Sequence, residues 1–310
     1  MLSLAISSVL LAGAAFANPY PPSVASKTDL PTKVAPFLSK FPGSGNYMPS
    51  KTSKTARALK RDTNEWVNNN NIATWDPNNI NDGVGDGQDS YTMYWGDGST
   101  GAGWPDKSRW VSFVNMFNNY KNTMFNSCSN FGQPNDSGPE VGAIWDGIQK
   151  AAAATGVDHR FILAVIMQES SGCVRVPTTN YGVRNPGLMQ DHNGEATCNG
   201  NGYAPNPCPS DTIYKMISEG TAGTNDGDGL ANCLNNAGRN DVSAFYRAAR
   251  IYNSGSVSST GQLQNGIATH CYSSDIANPT VLGSRLTGWV SAASGCNCDN
   301  DPGSCGITTD

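Results

Sequence analysis

The chain has 310 residues, of which 15% are charged, and its formal net charge at neutral pH is −5. An acidic balance offers few cationic groups for phosphates, so it disfavours nucleic acid and anionic membranes as partners. After the first residues, no stretch approaches the roughly 18–20 consecutive apolar residues that a membrane span requires. We therefore expect a globular protein without a membrane partner.

The N-terminal residues have the pattern of a secretory signal. Residues 2–17 are largely apolar, and Ala15-Phe16-Ala17 supplies the small-x-small pattern that precedes a cleavage point. The stretch before the apolar block carries no Lys or Arg, in which it departs from the usual signal. We expect residues 1–17 to be a signal peptide and the protein to be secreted and extracellular.

A basic, proline-rich stretch follows at residues 18–61. It contains seven prolines and eight Lys or Arg, against a single acidic residue, Asp29. It ends on Lys60-Arg61, a dibasic pair of the kind that eukaryotic secretory processing proteases cut. The order of signal, proline-rich segment and dibasic pair favours a propeptide over a flexible linker. The mature chain would be 62–310, with 12 basic and 24 acidic residues.

The cysteines indicate an oxidising compartment. All nine lie in the predicted mature chain, at positions 128, 173, 198, 208, 233, 271, 296, 298 and 305. In an exported protein this number predicts up to four disulfides, with one cysteine left over. Because there is no Cys-x-x-Cys pair and the three histidines are isolated in sequence, we expect neither a metal nor another cofactor.

Residues 62–103 are rich in Asn, Asp, Gly and aromatic side chains, which predicts turns and short strands rather than long helices. We expect this irregular segment to pack on or flank the main domain at 104–310. Its aromatics could line a sugar-binding surface, but ordinary packing is the favoured interpretation. The acidic run at 81–87 lacks the closing Glu of a helical calcium loop, so a surface turn is expected there.

The rest of the chain is predicted to be mainly helical. Apolar residues recur at helical spacing, and Asn, Asp, Pro and Gly mark the ends of the segments. Helices are expected at 106–125, 139–155, 158–169, 210–217, 229–236, 242–252, 267–277 and 284–293. With short strands between them, these elements indicate a mainly α, or α+β, fold stapled by disulfides.

Glu169 is the most unusual residue of this pattern. It ends an apolar helix and shares a face with Ile162, Val165 and Ile166. Burial disfavours the ionised carboxylate and raises its pKa, and the negative end of the helix dipole acts in the same direction. A carboxyl group that stays protonated near neutral pH can serve as a general acid. The structural alternative is a Glu paired with Arg175 or Arg184.

Three short motifs stand in order along the chain: Glu169-Ser170 at the end of a helix, Gly187-Leu188-Met189-Gln190 after a loop, and Ile251-Tyr252-Asn253 near the end of a later helix. In these motifs the sequence resembles glycoside hydrolase family 23, the superfamily of soluble lytic transglycosylases and goose-type lysozymes. The resemblance spans about residues 139–253. It implies a lysozyme-like α+β fold and cleavage of the β-1,4 bond between N-acetylmuramic acid and N-acetylglucosamine in bacterial peptidoglycan.

The resemblance also implies roles for individual residues. Glu169 would be the catalytic acid, and Tyr252 would hold its carboxyl group, with Asn253 beside it. Met189 and Gln190 would form the wall of the sugar cleft, or Gln190 would fix a loop. Ser170 would support the loop or the substrate. With Tyr181, these residues form the expected substrate-binding set of a monomeric, secreted muramidase.

A second carboxylate would decide the type of reaction. An inverting hydrolase needs a base, whereas a lytic transglycosylase uses the muramyl 6-hydroxyl and releases a 1,6-anhydro product. Asp191 is the candidate base and Glu195 a weaker one, because Asn180 occupies a position where goose-type lysozymes carry aspartate. We expect hydrolysis, with transglycosylation as the alternative.

The sequence is also compatible with other classes of protein. A chitinase or chitosanase could use the same fold, and an acidic protein suits a cationic polymer such as chitosan. A secreted glycan-binding or effector protein could use the scaffold without catalysis. A cysteine peptidase would need a reactive thiol with a histidine partner.

Overall fold

The computed structural model describes residues 66–85, 91–180, 182–200 and 202–278. The predicted signal peptide and propeptide, the helix expected at 284–293, and Tyr181 lie outside these residues. Within them are seven α-helices, and the bounds are α1 (Phe113–Ser127), α2 (Gly138–Thr155), α3 (His159–Ser170), α4 (Ser210–Ala222), α5 (Leu230–Asn236), α6 (Ser243–Ser254) and α7 (Tyr272–Ala277).

The described part of the chain has very little sheet. Its only named strands, β1 (Thr179–Asn180) and β2 (Arg184–Asn185), form a short antiparallel pair in which Thr179 faces Asn185. The prediction of a mainly α class is therefore confirmed. None of the helices in the described ranges has the length and apolarity that crossing a membrane would require.

Helix α3 lies in the middle of the molecule. Residues 159–167 are all buried, so this helix is enclosed on every side. It contacts α1, α2 and α7, while α2 packs along α4, and α6 packs against both α5 and α7. The end of α3, where Glu169 lies, is therefore positioned by helices from several parts of the chain.

The ends of α2 and α3 follow from local chemistry. At the start of α2, the carboxylate of Glu140 accepts hydrogen bonds from the backbone N–H and the hydroxyl of Ser137 at 2.7 and 2.6 Å. Gly156 ends α2 in the left-handed conformation, and Asp158 caps α3 by accepting the N–H of Arg160 at 3.0 Å. These boundaries agree with the predicted ones.

Helix α1 starts later than predicted. The sequence pattern indicated a helix over 106–125, whereas the structure begins it at Phe113. The N–H of Val84 donates to the Trp110 carbonyl at 2.8 Å, and the N–H of Ser112 donates to the Val84 carbonyl at 3.0 Å. These long-range bonds replace the helical ones, so the residues before Phe113 cannot join the helix.

Two other helix bounds differ from the prediction by five residues. Helix α4 continues to Ala222, past the predicted end at Ile217. Helix α7 begins at Tyr272 instead of residue 267, because the guanidinium of Arg250 donates hydrogen bonds to the carbonyls of Ile267 and Thr269 in the preceding loop. A carbonyl that accepts from a side chain in this way is not aligned for a helical bond.

The first part of the N-terminal segment is fixed on the helices. The N–H of Val67 donates to the Thr155 carbonyl at 2.7 Å, and that of Thr74 donates to the Gly156 carbonyl at 2.8 Å. The indole of Trp75 lies against Gly156, where an added Cβ would come within 2.9 Å of the ring. This glycine therefore permits both the end of α2 and the close approach of the segment.

A polar cluster joins the same segment to the start of α3. The buried carboxylate of Asp158 accepts from the guanidinium of Arg160 at 2.8–2.9 Å, and the ammonium group of Lys107 lies 2.8 Å from it. Nε2 of His159 lies 2.9 Å from the carboxylate of Asp82. Burial of Asp158 would raise its pKa, but the contacts with Arg160 and Lys107 hold that pKa below its ordinary value.

A buried ion network and two disulfides fix the chain on either side of Glu169. The guanidinium of Arg175 lies 3.1 Å from the carboxylate of Asp136 and also contacts that of Glu140, and all three residues are buried. The described disulfides are Cys128–Cys173 and Cys198–Cys208, and Cys271 is also disulfide-bonded. Cross-links of this kind fit the oxidising compartment that the cysteine content predicts.

We predict that Arg175→Ala lowers the free energy of unfolding by about 3–5 kcal/mol, because it leaves two buried carboxylates without their cation. Urea unfolding with the disulfides intact measures the change. Arg239→Ala is the matched control, since its salt bridge to Asp97 is largely exposed and should contribute at most about 1 kcal/mol. Equal effects of the two substitutions would contradict the importance of the buried network.

Candidate active site

Glu169 lies one residue before the end of α3, and its side chain is only partly exposed. The hydroxyl of Tyr272 donates a 2.5 Å hydrogen bond to its Oε1. Burial raises the pKa of Glu169 to about 7, although the hydrogen bond from Tyr272 acts in the opposite direction. The carboxyl group is therefore half protonated near neutral pH, as a general acid requires.

The backbone turns sharply directly after Glu169. Ser171 and Gly172 have positive φ values of 53° and 77°, which end α3. Ser170 is 1% exposed; its hydroxyl donates to the Ile166 carbonyl at 2.9 Å and accepts from the Gly172 N–H at 3.2 Å. Of the two roles predicted for Ser170, these hydrogen bonds show support of the loop, and a contact with substrate stays a prediction.

Tyr272, at the start of α7, is the site residue that the sequence motifs did not reveal. Its burial and the neighbouring Glu169 raise the pKa of the phenol well above its ordinary value, so the hydroxyl remains a donor. The two residues are 103 positions apart in the chain. The sequence offers no local pattern that marks this tyrosine among the others.

Tyr252 does not make the predicted contact with Glu169. Its hydroxyl donates to the backbone carbonyl of Met189 at 2.8 Å, and the carboxyl group is held by Tyr272 instead. The carboxyl groups of Glu169 and Asp191 are nevertheless near enough to add to the burial that raises the pKa of Tyr252. Tyr252 therefore joins α6 to the Gly187–Gln190 turn, beside the acid.

The Gly187–Gln190 turn is mainly structural. Met189 is fully buried against Gly220 of α4, where an added Cβ would lie 2.5 Å from the Met189 Cβ. The side chain of Met189, which was predicted to form part of the cleft wall, is therefore part of the core. An apolar side chain in this position fixes the turn on α4.

Gln190 fixes the loop that contains the two short strands. Its Oε1 accepts from the hydroxyl of Thr179 at 2.9 Å, and its Nε2 donates to the carbonyls of Gly187 and Pro177 at 3.0 and 3.3 Å. The loop-fixing role that was one of its two predicted roles is thus visible. The side chain is also partly exposed, which leaves a substrate contact as a prediction.

Asp191, the predicted base, is 2% exposed. Neither of its carboxylate oxygens has a hydrogen-bond partner among the described residues. Burial and the negative charge of Glu219 raise the pKa of Asp191 well above its ordinary value. A carboxyl group that is buried in this way is poorly placed to activate water, so the geometry does not favour Asp191 as a base.

The weaker candidate, Glu195, is exposed and forms an ion pair with Lys215 at 2.6 Å. Lys215 also lies 3.7 Å from the buried Glu219, whose carboxylate accepts the N–H groups of Glu195 and Ala196 at 3.1 and 2.9 Å. These contacts attach Glu195 to α4. No contact of the described residues joins it to Glu169.

Asn253 and Arg250 fix the loop that leads into α7. The Oδ1 of Asn253 accepts from the N–H of Thr269 at 3.1 Å and from the Arg250 guanidinium at 2.8 Å. The same guanidinium donates to the carbonyls of Ile267 and Thr269 at 2.7 and 2.9 Å. Asn253 is partly exposed, so its predicted substrate contact is still untested, but its visible role is to place the start of α7.

Two groups of described side chains bring three possible metal ligands together. In the first, Asp136 lies beside Cys128 and Cys173, but the two sulfurs are joined in a disulfide and are not thiolate ligands. In the second, Asp82 and His159 lie beside Asp158, whose carboxylate already has Lys107 and Arg160 as cations. Neither group contacts Glu169 in the described residues.

Comparison with known proteins adds no relative: no protein-family model, no curated protein and no solved structure matches the chain. The chemistry proposed for the candidate site therefore depends on its own residues. The central fact is a partly buried carboxyl group at a helix end with a phenol as its hydrogen-bond donor.

We predict that the stability difference between Glu169→Gln and the wild type depends on pH. An unfolded Glu ionises near 4.5, whereas the folded one keeps its proton up to about 7. The wild type should therefore lose about 3 kcal/mol relative to the variant as the pH rises through this window. Chemical denaturation at pH 4 and pH 8 measures the difference, and a constant difference would contradict a raised pKa.

Proposed function

We propose that the protein is a secreted muramidase that cleaves β-1,4 bonds between N-acetylmuramic acid and N-acetylglucosamine in bacterial peptidoglycan, with Glu169 as the general acid. The observation that carries this proposal is the partly buried Glu169 carboxyl group with its 2.5 Å hydrogen bond from Tyr272. The order of the Glu-Ser, Gly-Leu-Met-Gln and Tyr-Asn motifs, and their resemblance to glycoside hydrolase family 23, supports this choice of substrate.

The hydrogen bond assigns different tasks to the two oxygens of Glu169. Because Oε1 accepts from Tyr272, the proton of the neutral carboxyl group is expected on Oε2. Oε2 would give this proton to the glycosidic oxygen while the bond from that oxygen to the sugar C1 breaks. The leaving sugar departs as an alcohol, and positive charge develops on the remaining ring.

Tyr272 would contribute most at this moment. Its hydrogen bond is stronger to a carboxylate than to a neutral carboxyl group, so it stabilises Glu169 as the proton leaves. An interaction that strengthens along the reaction lowers the barrier, whereas one of constant strength does not. Burial acts before the proton is transferred: it disfavours the ionised carboxylate and so keeps the proton on Glu169 until substrate is bound.

Transglycosylation is the second candidate, and the burial of Asp191 favours it. If Glu169 acts without a second accessible carboxylate, as the described residues indicate, the site suits attack by the muramyl 6-hydroxyl, which forms a 1,6-anhydro ring. After the first step the ionised Glu169 could accept the proton of that hydroxyl, which restores the acid. Hydrolysis by a water molecule that the ionised Glu169 activates in the same way would also need only this carboxyl group.

The alternative classes differ in what Glu169 does. A chitinase or chitosanase would use the same acid on a polymer without muramic acid. A glycan-binding or effector protein would retain its activity after Glu169→Gln. A cysteine peptidase is not supported by the described cysteines, because Cys233 is fully buried and the other five are disulfide-bonded.

We predict that Glu169→Gln reduces the cleavage of purified peptidoglycan by about 10²–10⁴-fold, the usual contribution of a general acid. Mass spectrometry of the products distinguishes the reactions: reducing muropeptides indicate hydrolysis, and anhydro-muropeptides indicate transglycosylation. Glu195→Gln is the control, since this carboxylate is exposed and should be dispensable.

Chitin and chitosan are digested in parallel with the same protein. Cleavage of these polymers, with peptidoglycan left intact, would show that the proposed substrate is wrong. An unchanged rate for Glu169→Gln on every polymer would show that Glu169 is not the acid.

A further inference from the structure

Residues 91–96, here called the strap, lie along α7. Hydrogen bonds join the strap to this helix and its C-terminal cap. The hydroxyl of Tyr91 lies 3.0 Å from Asp275 Oδ1 and 3.2 Å from Ser274 Oγ. The N–H groups of Thr92 and Tyr94 donate to Asn278 Oδ1 and Ser274 Oγ, each at 3.0 Å, and the Thr92 carbonyl accepts from Asn278 Nδ2 at 2.9 Å and from Ser274 Oγ at 3.4 Å. The strap therefore follows the helix from Ser274 to its C-terminal cap.

The other side of the strap is anchored in the aromatic core. The Trp104 indole donates to the Trp95 carbonyl at 2.6 Å, and its ring packs against Tyr94 and Tyr246 at centroid distances of 5.4 and 5.0 Å. The buried Trp104 thus fixes the strap independently of α7. An anchored segment can hold a neighbouring helix in place.

Helix α7 needs such support. It has six residues, fewer than two turns, and isolated helices of this length are unstable in water. Tyr272 lies in its first turn, and Asp275 lies three residues later on the same face. Contacts that fix Asp275 therefore also fix the position of Tyr272 along the helix axis and its rotation about that axis.

Asp275 connects the strap to the end of α3. Its Oδ1 accepts from Tyr91, and its Oδ2 accepts from Nε2 of Gln168 at 3.3 Å. Gln168 is the residue directly before Glu169. Two parallel links therefore run from α7 to α3, one from Tyr272 to the acid itself and one from Asp275 to the neighbouring residue.

We propose that the strap is a positioning element of the active site, in which Tyr91, through Asp275, holds Tyr272 in hydrogen-bond contact with Glu169. This inference rests on the proposed role of Glu169 as the acid. It assigns the aromatic N-terminal segment to the catalytic centre instead of to binding of a polymer. Tyr91 and Asp275 act through Tyr272 and are not catalytic residues.

The sensitivity of the acid to this support follows from hydrogen-bond geometry. A hydrogen bond weakens steeply as its length and angle depart from the preferred values. A misplacement of about 1 Å in a catalytic arrangement can reduce the rate by about 10²-fold. Loss of the Tyr91 hydroxyl removes one contact of several, so a smaller effect is expected.

The test is a double-mutant cycle of Tyr91→Phe and Tyr272→Phe on peptidoglycan cleavage. We predict that Tyr91→Phe lowers kcat about 10-fold and leaves KM within twofold, whereas in the Tyr272→Phe background it causes no further loss. Tyr203→Phe, a change on a side chain that is 72% exposed, should have no effect. A loss of kcat that is equal in both backgrounds would overturn the proposal.

A second readout does not depend on activity. In protein with ¹³C-labelled Glu side chains, assigned by comparison with Glu169→Gln, NMR titration follows the Glu169 carboxyl group. Tyr272→Phe should raise the pKa of Glu169, because it removes a hydrogen bond that favours the ionised carboxylate. Tyr91→Phe should shift the pKa in the same direction, but not in the Tyr272→Phe background; an unchanged titration in Tyr91→Phe would overturn the proposal.

The two readouts separate failure of the strap from failure of the proposed function. Absence of cleavage by the wild type refutes the function, and the titration still tests the strap. Melting temperatures show whether each variant is folded. If Tyr91→Phe does not fold, Asp275→Asn replaces it, and the same coupling to Tyr272 is expected from the weakened contacts of this side chain.

Discussion

The site depends on keeping one carboxyl group largely out of water next to one phenol. Ionisation of Glu169 is opposed by its surroundings and assisted by Tyr272, and the pKa near 7 is the balance of the two. This balance needs α3 to end inside the helical assembly and α7 to lie across that end. The burial of α3 and the hydrogen bonds around α7 maintain this arrangement. It lowers the stability of the folded protein at neutral pH but keeps a proton on Glu169.

Several motif residues act by holding the backbone. Ser170 closes the end of α3, Gln190 fixes the strand loop, and Asn253 places the loop before α7. Short motifs of this kind can therefore mark a site by fixing the backbone around it. Because Asp191 is buried, the proposed mechanism relies on the carboxyl group of Glu169 alone among the residues that the structure describes.

The sequence predicted what local chemistry determines. The bounds of α2 and α3 follow from Ser137, Gly156 and Asp158, and the raised pKa of Glu169 follows from the apolar stripe that it shares. The contacts that could not be predicted are long-range ones. Tyr272 is hydrogen-bonded to Glu169, 103 positions away in the chain, and Tyr91 to Asp275, 184 positions away. The bridge between Val84 and Val111 likewise makes α1 begin later than predicted. Such pairings arise from packing of distant elements and leave no periodic pattern in the sequence.

Infrared difference spectroscopy of the wild type against Glu169→Gln tests the central claim most directly, because it detects the C=O stretch of a protonated carboxyl group. The spectrum is recorded between pH 4 and pH 9 without substrate. The structure predicts that a protonated carboxyl band of Glu169 is still present at pH 6 and disappears with a midpoint of about 7. A band that is lost near pH 4.5, the ordinary value for Glu, would contradict the raised pKa of the partly buried Glu169.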